Sequence, residues 1–257
     1  MTGVLAVGAH PDDAELSFGA TLARLATSGV RVTILDLTAG ERASRGDAAT
    51  RAREAAESAR VLGVTRENAG LPDLGLRKGS HEQIRAVVEA LRRHRPALVL
   101  APHPEEGHPD HAHASSLVER ACYEARLAKA DGVGAPHVVD QLLFAWPGAG
   151  AAQAVGAGGG GALGGGFVVD VSESFAAKRA ALACYRSQFE GGGGAPETRL
   201  SAPGFLDLVE ARARVCGAVI ESRYGEGFTY RGALRLTPAL AAWLGGEAVG
   251  STRGERP

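Results

Sequence analysis

Apolar residues fall along this chain in short blocks separated by longer amphipathic stretches. Val4 to Val7, Val30 to Leu37, Ala97 to Ala101, Gln141 to Trp146 and Phe167 to Val171 are mostly apolar runs of strand length, the pattern of strands covered on both faces. Between them, Glu15 to Ala26 carries apolar residues at helical spacing until Ser28-Gly29 stops it. The Ala-rich stretch Arg51 to Leu62 predicts a helix with Gly63 just past its end. Ser80 is placed to cap a helix running to about His94, with Glu82 and Gln83 in its first turn and Pro96 beyond its end. Asp110 to Ala128 reads as a further helix, and Ser174 to Phe189 and Gly204 to Val215 as amphipathic helices closer to the C-terminus.

Strands alternating with helices imply an α/β protein: a Rossmann-like, three-layer fold with a mostly parallel sheet, right-handed crossovers and helices on both faces, plus C-terminal helices. The length of 257 residues suits one large domain spanning 1–245, with a frayed, flexible tail at 246–257. The glycine-dominated stretch 156–166 lacks a Lys-Ser/Thr signature and reads as a flexible loop rather than a phosphate cradle; Gly191 to Gly194 is a second such run. The last hundred residues are expected to form a lid or an oligomer surface.

Charge narrows the partners. Lys+Arg total 28 against Asp+Glu 29, without a basic block, so neither nucleic acid nor an anionic membrane surface is implied and a small molecule is the expected partner. No apolar run approaches membrane-spanning length and no leader pattern precedes Val4, which predicts a cytoplasmic protein. Cys122, Cys184 and Cys216 lack CxxC spacing and are odd in number, so they read as buried, reduced thiols.

The chemistry concentrates in two segments, Ala9-His10-Pro11-Asp12-Asp13 and His108-Pro109-Asp110-His111-Ala112-His113, each following an apolar run. Ligands in such positions lie where an open α/β sheet carries its site, at the carboxyl ends of strands. A catalytic zinc takes three protein ligands and keeps one position open. Of the adjacent Asp12 and Asp13, one is read as a ligand and the other as a free base, which relieves their repulsion. His108 would face a developing oxyanion, with Asp110 orienting its imidazole and favouring the protonated form. His103 and His113 read as solvated loop or helix-surface residues, and His81, His94 and His137 as structural or exposed. A two-metal phosphoesterase would need more ligands than these segments offer. A non-catalytic nucleotide-binding module would need G-x-G-x-x-G in the first strand-helix turn, where Asp12 and Asp13 stand instead.

The segments Val7 to Leu16 and Gly107 to His111 resemble the LmbE-like (PIG-L) family of zinc-dependent deacetylases acting on N-acetylglucosamine conjugates. Leu35 to Glu41, Leu71-Pro72-Asp73, Tyr185 to Phe189 and Tyr224 to Phe228 are similar to the branch that deacetylates N-acetylglucosaminyl malate in bacillithiol biosynthesis. The resemblance implies zinc, or another divalent metal, on His10, Asp13 and His111. It further implies Asp12 as general base, His108 as oxyanion stabiliser backed by Asp110, and Arg51 and Tyr185 as substrate-binding residues. For Arg51 the alternative is a helix-surface charge, and for Tyr185 core packing with a satisfied hydroxyl. A homo-oligomer, with a hexamer as one form, follows from the resemblance alone. The glycine-rich stretches depart from the family pattern and leave the aglycone open.

Overall fold

Val4 and Ala6 belong to one hydrophobic cluster and Leu5 and Val7 to another, because successive side chains of a strand point to opposite faces. Both faces of this first strand are therefore covered. The computed structural model describes residues 3–146, 165–191, 194, 196–235, 237 and 240. Among these, β1 (Gly3–Gly8), β2 (Val32–Thr38), β3 (Thr65–Leu71), β4 (Pro96–Ala101), β5 (Gln141–Ala145), β6 (Gly165–Asp170) and β7 (Gly225–Tyr230) form one sheet in the order β3-β2-β1-β4-β5-β7-β6. The first five strands run parallel, and β7 lies antiparallel between β5 and β6.

The helices are α1 (Asp13–Thr27), α2 (Ala48–Leu62), α3 (His81–His94), α4 (Pro109–Ala125), α5 (Phe175–Ala183), α6 (Arg186–Phe189) and α7 (Phe205–Ala218). On one face Phe18, Leu22 and Leu25 of α1, Leu62 of α2, Phe175 and Ala181 of α5 and Ala213 of α7 pack against the sheet. On the other, Ile84, Val87, Val88 and Leu91 of α3 meet Ala114, Leu117, Val118 and Ala121 of α4 over Leu5, Val7, Val99 and Ala101. The expected three-layer, mostly parallel architecture is the one observed. Chain order reverses between β1 and β4, so the loops after these two strands flank the topological switch point, where α/β sheets open a crevice.

Several elements depart from the sequence pattern. β3, with the sequence TRENAGL, is a sheet-edge strand whose polar side chains are exposed or only partly buried, so no apolar run announces it. β7 carries glycines at 225 and 227; a Cβ at Gly227 would collide with the Trp146 indole, which lies against that backbone. The single helix expected over 174–189 is broken at Cys184-Tyr185 into α5 and α6. Gly165 and Gly166 are the first residues of β6 rather than loop. The rest of the 156–166 stretch, Gly192, Gly193 and the 246–257 tail lie outside the described residues. Among the described residues no helix is long and apolar enough to cross a membrane.

Candidate metal centre

The turn after β1 and the helix entry after β4 converge at the switch point. Asp12 caps α1 with φ 99° and ψ −24°, a left-handed conformation that a non-glycine residue adopts only at a cost of about 1 to 3 kcal/mol. Two contacts hold it there. The Arg51 Nη2 group donates to the Pro11 carbonyl and, at 3.1 Å, to Asp12 Oδ2. Arg51 reaches the turn from the first half of α2, whose N-cap Asp47 accepts the Thr50 amide at 2.6 Å. Gly40 leaves the space: with φ +63°, it lies so close to the guanidinium that a Cβ would overlap Arg51 Nη1.

Next to this pair, His10, Asp13 and His111 gather. The Asp13 carboxylate accepts the His10 amide at 2.8 Å through Oδ2, which also lies 3.3 Å from His10 Nδ1, while Oδ1 lies 3.2 Å from His111 Nε2. One ligand atom from each of His10, Asp13 and His111 lies within 4.8 Å of the others, and the same holds for His10, His108 and Asp110. The rings of His10, His108 and His111 have centroids 4.8 to 5.4 Å apart. Two imidazole nitrogens and a carboxylate oxygen are a donor set that divalent zinc accepts. The charges fit a cation too: Asp12, Asp13, Asp73 and Asp110 are all buried around these rings, and Arg51 pairs with Asp12.

Burial would lower the His10 pKa, but its hydrogen bond to Asp13 and the charges of Asp13, Asp73 and Asp12 raise it to about 9. His111 is likewise raised, against burial, by Asp13. Asp13 itself is buried, yet His111 and His10 hold it well below the usual carboxylate range. Asp12 behaves oppositely. Burial pushes it up to about 7, with Asp13 and Glu15 adding to the rise and Arg51 and His10 opposing it. Neighbouring carboxylates thus fall into two protonation regimes.

His10 divides its nitrogens between two surroundings. Nδ1 faces Asp13, whereas Nε2 lies 3.2 Å from Asp73 Oδ1 and 3.5 Å from Asp110 Oδ2. A ligating imidazole whose other nitrogen meets a carboxylate is held in one orientation and made more basic. Asp73 is fixed for this by the Arg42 amide, which donates to Oδ2 at 2.8 Å, while its own amide donates to Glu41 Oε1 at 2.8 Å. In the sequence Asp73 stands in Leu71-Pro72-Asp73, and the turn at the end of a polar edge strand is its only local signal.

Three expectations change at this point. The Asp110 carboxylate does not orient His108: Oδ2 accepts the Leu74 amide at 2.8 Å, and it is the Asp110 backbone N–H that donates to His108 Nδ1 at 3.2 Å. His108 is therefore the N-cap of α4, and its pKa is lowered by burial and by the charges of His111 and His10, not raised toward the protonated form. The helix's positive end works in the same direction. Tyr185 does not line the site. It is fully buried, its hydroxyl donates to Glu15 Oε1 at 2.9 Å, and Glu15 in turn binds Ser58 and Arg66, which also grips Asp36. Arg51 is buried rather than a helix-surface charge, and it is engaged with the Asp12 turn.

His103, His137, His94 and His81 belong to neither of these donor groups. His103 is buried, not solvated, and its Nδ1 accepts the Glu105 amide at 3.1 Å. His137 is buried against the Pro96 carbonyl, His94 meets Glu67, and His81 is exposed.

Residues 5–122 match a family profile described as PIG-L, GlcNAc-PI de-N-acetylase. The chain is 35% identical over 127 residues to a diacetylchitobiose deacetylase of Thermococcus kodakarensis, covering 44% of this chain and 46% of that protein. It is 31% identical over 246 residues to a 1D-myo-inositol 2-acetamido-2-deoxy-alpha-D-glucopyranoside deacetylase of Segniliparus rotundus, covering 72% and 76% respectively. It thus spans about half the length of the first relative and three quarters of the second. In structure it is similar to a conserved protein of Thermus thermophilus, TT1542, with a TM-score of 0.77, 36% identity, and 93% and 98% of the two chains covered.

Proposed function

The chain belongs to the PIG-L family, and we propose that it is a metal-dependent hydrolase that removes acetate from an N-acetylglucosamine conjugate and leaves a free amine. The observation that carries this reading is the position of Asp12, ionisable near neutrality, directly beside the convergent donors of His10, Asp13 and His111. Those three residues would hold the metal, with zinc favoured by the nitrogen and carboxylate set. A bound divalent cation polarises an amide carbonyl and brings the pKa of a coordinated water toward ~7.

The chain's own groups account for the proton movements. Asp12, steadied by Arg51, takes the proton of the attacking water and returns it to the leaving nitrogen. Its pKa of about 7 suits both directions of transfer. Because His108 Nδ1 accepts the Asp110 amide, the neutral imidazole carries its proton on Nε2. It therefore offers an N–H donor to the oxyanion that develops as the carbonyl becomes tetrahedral. Asp73 and Asp110 hold His10 through Nε2.

The finer reading is that the conjugate is N-acetylglucosaminyl malate. It is supported by the segments Leu35 to Glu41, Leu71 to Asp73, Tyr185 to Phe189 and Tyr224 to Phe228, which resemble the malate-specific branch. A homo-oligomer acting in the cytoplasm accompanies that reading. The test is acetate release by purified protein from N-acetylglucosaminyl malate, the inositol conjugate, diacetylchitobiose and free N-acetylglucosamine, with and without chelator. Chelator-sensitive release, highest with the malate conjugate, is expected. Release unaffected by exhaustive chelation would remove the mechanism, and equal turnover of all four compounds would remove the malate assignment.

A further inference from the structure

The helix that carries Asp13 in its first turn is broken one turn later. Phe18 leaves helical geometry with φ −145° and ψ 23°, so α1 consists of two segments joined at a kink. A break of this kind releases carbonyl groups on its N-terminal side and amides on its C-terminal side, and buried groups of either kind need partners. Both sets are met by one ion pair from distant parts of the chain. Lys178 of α5 donates from Nζ to the Leu16 carbonyl at 2.9 Å. Glu226 of β7 accepts the Ala20 amide at 3.2 Å and the Thr21 amide at 2.7 Å. Lys178 Nζ and Glu226 Oε1 then meet at 2.6 Å, each side chain no more than 4% exposed. Gly19 makes the approach feasible, since a Cβ there would stand 3.3 Å from Lys178 Cγ.

The pair occupies the place of the missing helix turn, and its position decides where the first turn points. That turn begins at Asp12, whose carbonyl accepts the Leu16 amide at 2.9 Å, and the carbonyl of the same Leu16 is the one Lys178 holds. We propose that Lys178 and Glu226 are positioning residues for Asp12 and Asp13: by splicing the break in α1 they fix the segment on which the base and the metal carboxylate stand. The inference rests on the deacetylase reading only for its consequence in turnover; its consequence for metal binding stands without it. It also gives a role to Glu226 in Tyr224-Gly225-Glu226-Gly227-Phe228, a stretch that the chemistry of the centre leaves unused.

The test compares Lys178→Met, Glu226→Gln, the double variant and Lys178→Arg with the parent in the full chain. Thermal midpoint, zinc affinity by competition with a chromogenic chelator, and kcat and KM on the best substrate are measured. Each single loss should weaken zinc binding about tenfold and lower kcat about 10- to 100-fold with KM within twofold, as displacement of supporting groups does. The double variant leaves no charge buried alone, so its thermal midpoint should return toward that of the parent. Its zinc affinity and kcat should nevertheless stay low. Lys178→Arg, which restores a donor to the Leu16 carbonyl, should recover part of both. Variants that lose thermal stability while keeping zinc affinity and kcat within twofold of the parent would reduce the pair to a fastening and overturn the proposal. A parent that binds zinc but releases no acetate would sink the deacetylase reading alone, and the zinc titration would still decide this one.

Discussion

The Asp110 backbone amide, not the Asp110 carboxylate, meets the His108 ring, donating to Nδ1 at 3.2 Å. Protonation of Nδ1 would set two N–H groups against each other at the positive end of α4, which explains in local terms why the His108 pKa is lowered. The lowered pKa favours the neutral imidazole, whose proton then sits on Nε2.

His108→Ala should retain metal and lower kcat by about two to three orders of magnitude, the usual cost of an oxyanion donor. The sign of its titration is fixed by the lowered pKa: His108 gains its proton only below the ordinary imidazole value of 6.5. An alkaline fall in kcat/KM should then persist in active His108 variants, because it belongs to other groups. Loss of that alkaline limb in His108→Gln, or an imidazole resonance of His108 titrating above 6.5 by NMR in the metal-free protein, would contradict this assignment.

Asp12 must be ionised to accept a proton, and its pKa stands at about 7 with Arg51 holding it down. The rate should rise with pH through this group, at or below about 7 when a cation adds its own lowering effect. Asp12→Asn should keep zinc and lose about two to four orders of magnitude in kcat. Arg51→Met removes the charge that opposes burial, so the acid limb should move to higher pH. A pH profile that stays in place, accompanied by a raised KM, would instead mark Arg51 as a direct substrate contact.

With its pKa raised to about 9, His10 carries a proton at neutral pH in the metal-free centre, and His111 is shifted in the same direction. Zinc binding must displace that proton, so affinity should rise with pH up to about 9. Calorimetry at pH 7.5 in buffers of different ionisation enthalpy should record release of about one proton or more per zinc. Asp73→Asn, which weakens the hold on His10 Nε2 at 3.2 Å, should lower zinc affinity or kcat about 10- to 100-fold. Unchanged affinity and turnover in Asp73→Asn would show that Asp110 suffices to orient the ring.

Tyr185→Phe separates a buried network from a substrate contact. The hydroxyl donates at 2.9 Å to Glu15, itself completely buried, so its loss should destabilise the fold by about 1 to 3 kcal/mol in urea unfolding. KM should remain within twofold of the parent. A raised KM with unchanged stability would return Tyr185 to the substrate.

Legible in the sequence alone were the apolar strands, the amphipathic helices and the chemistry that lies in contiguous residues. β1 and β4 are apolar throughout because both their faces are covered, and the polar residues that follow each of them, His10 to Asp13 and His108 to His111, stand out by contrast. A mostly parallel sheet, with the site at the carboxyl ends of its strands, followed from strands alternating with helices, whereas the strand order that puts the switch point between β1 and β4 is visible only in the fold. Local patterning could not reveal β3, a polar edge strand, or β7, whose glycines fit the Trp146 indole and α7 rather than a strand period. Nor could it reveal partners, because a hydrogen bond between residues far apart in the chain leaves no periodic trace. Arg51 on Asp12, Asp73 on His10, Glu15 under Tyr185, and Lys178 with Glu226 at the break in α1 are such cases. The candidate donors and carboxylates are written in contiguous residues, whereas their protonation and orientation depend on charges and amides that only the folded chain brings within about 3 Å.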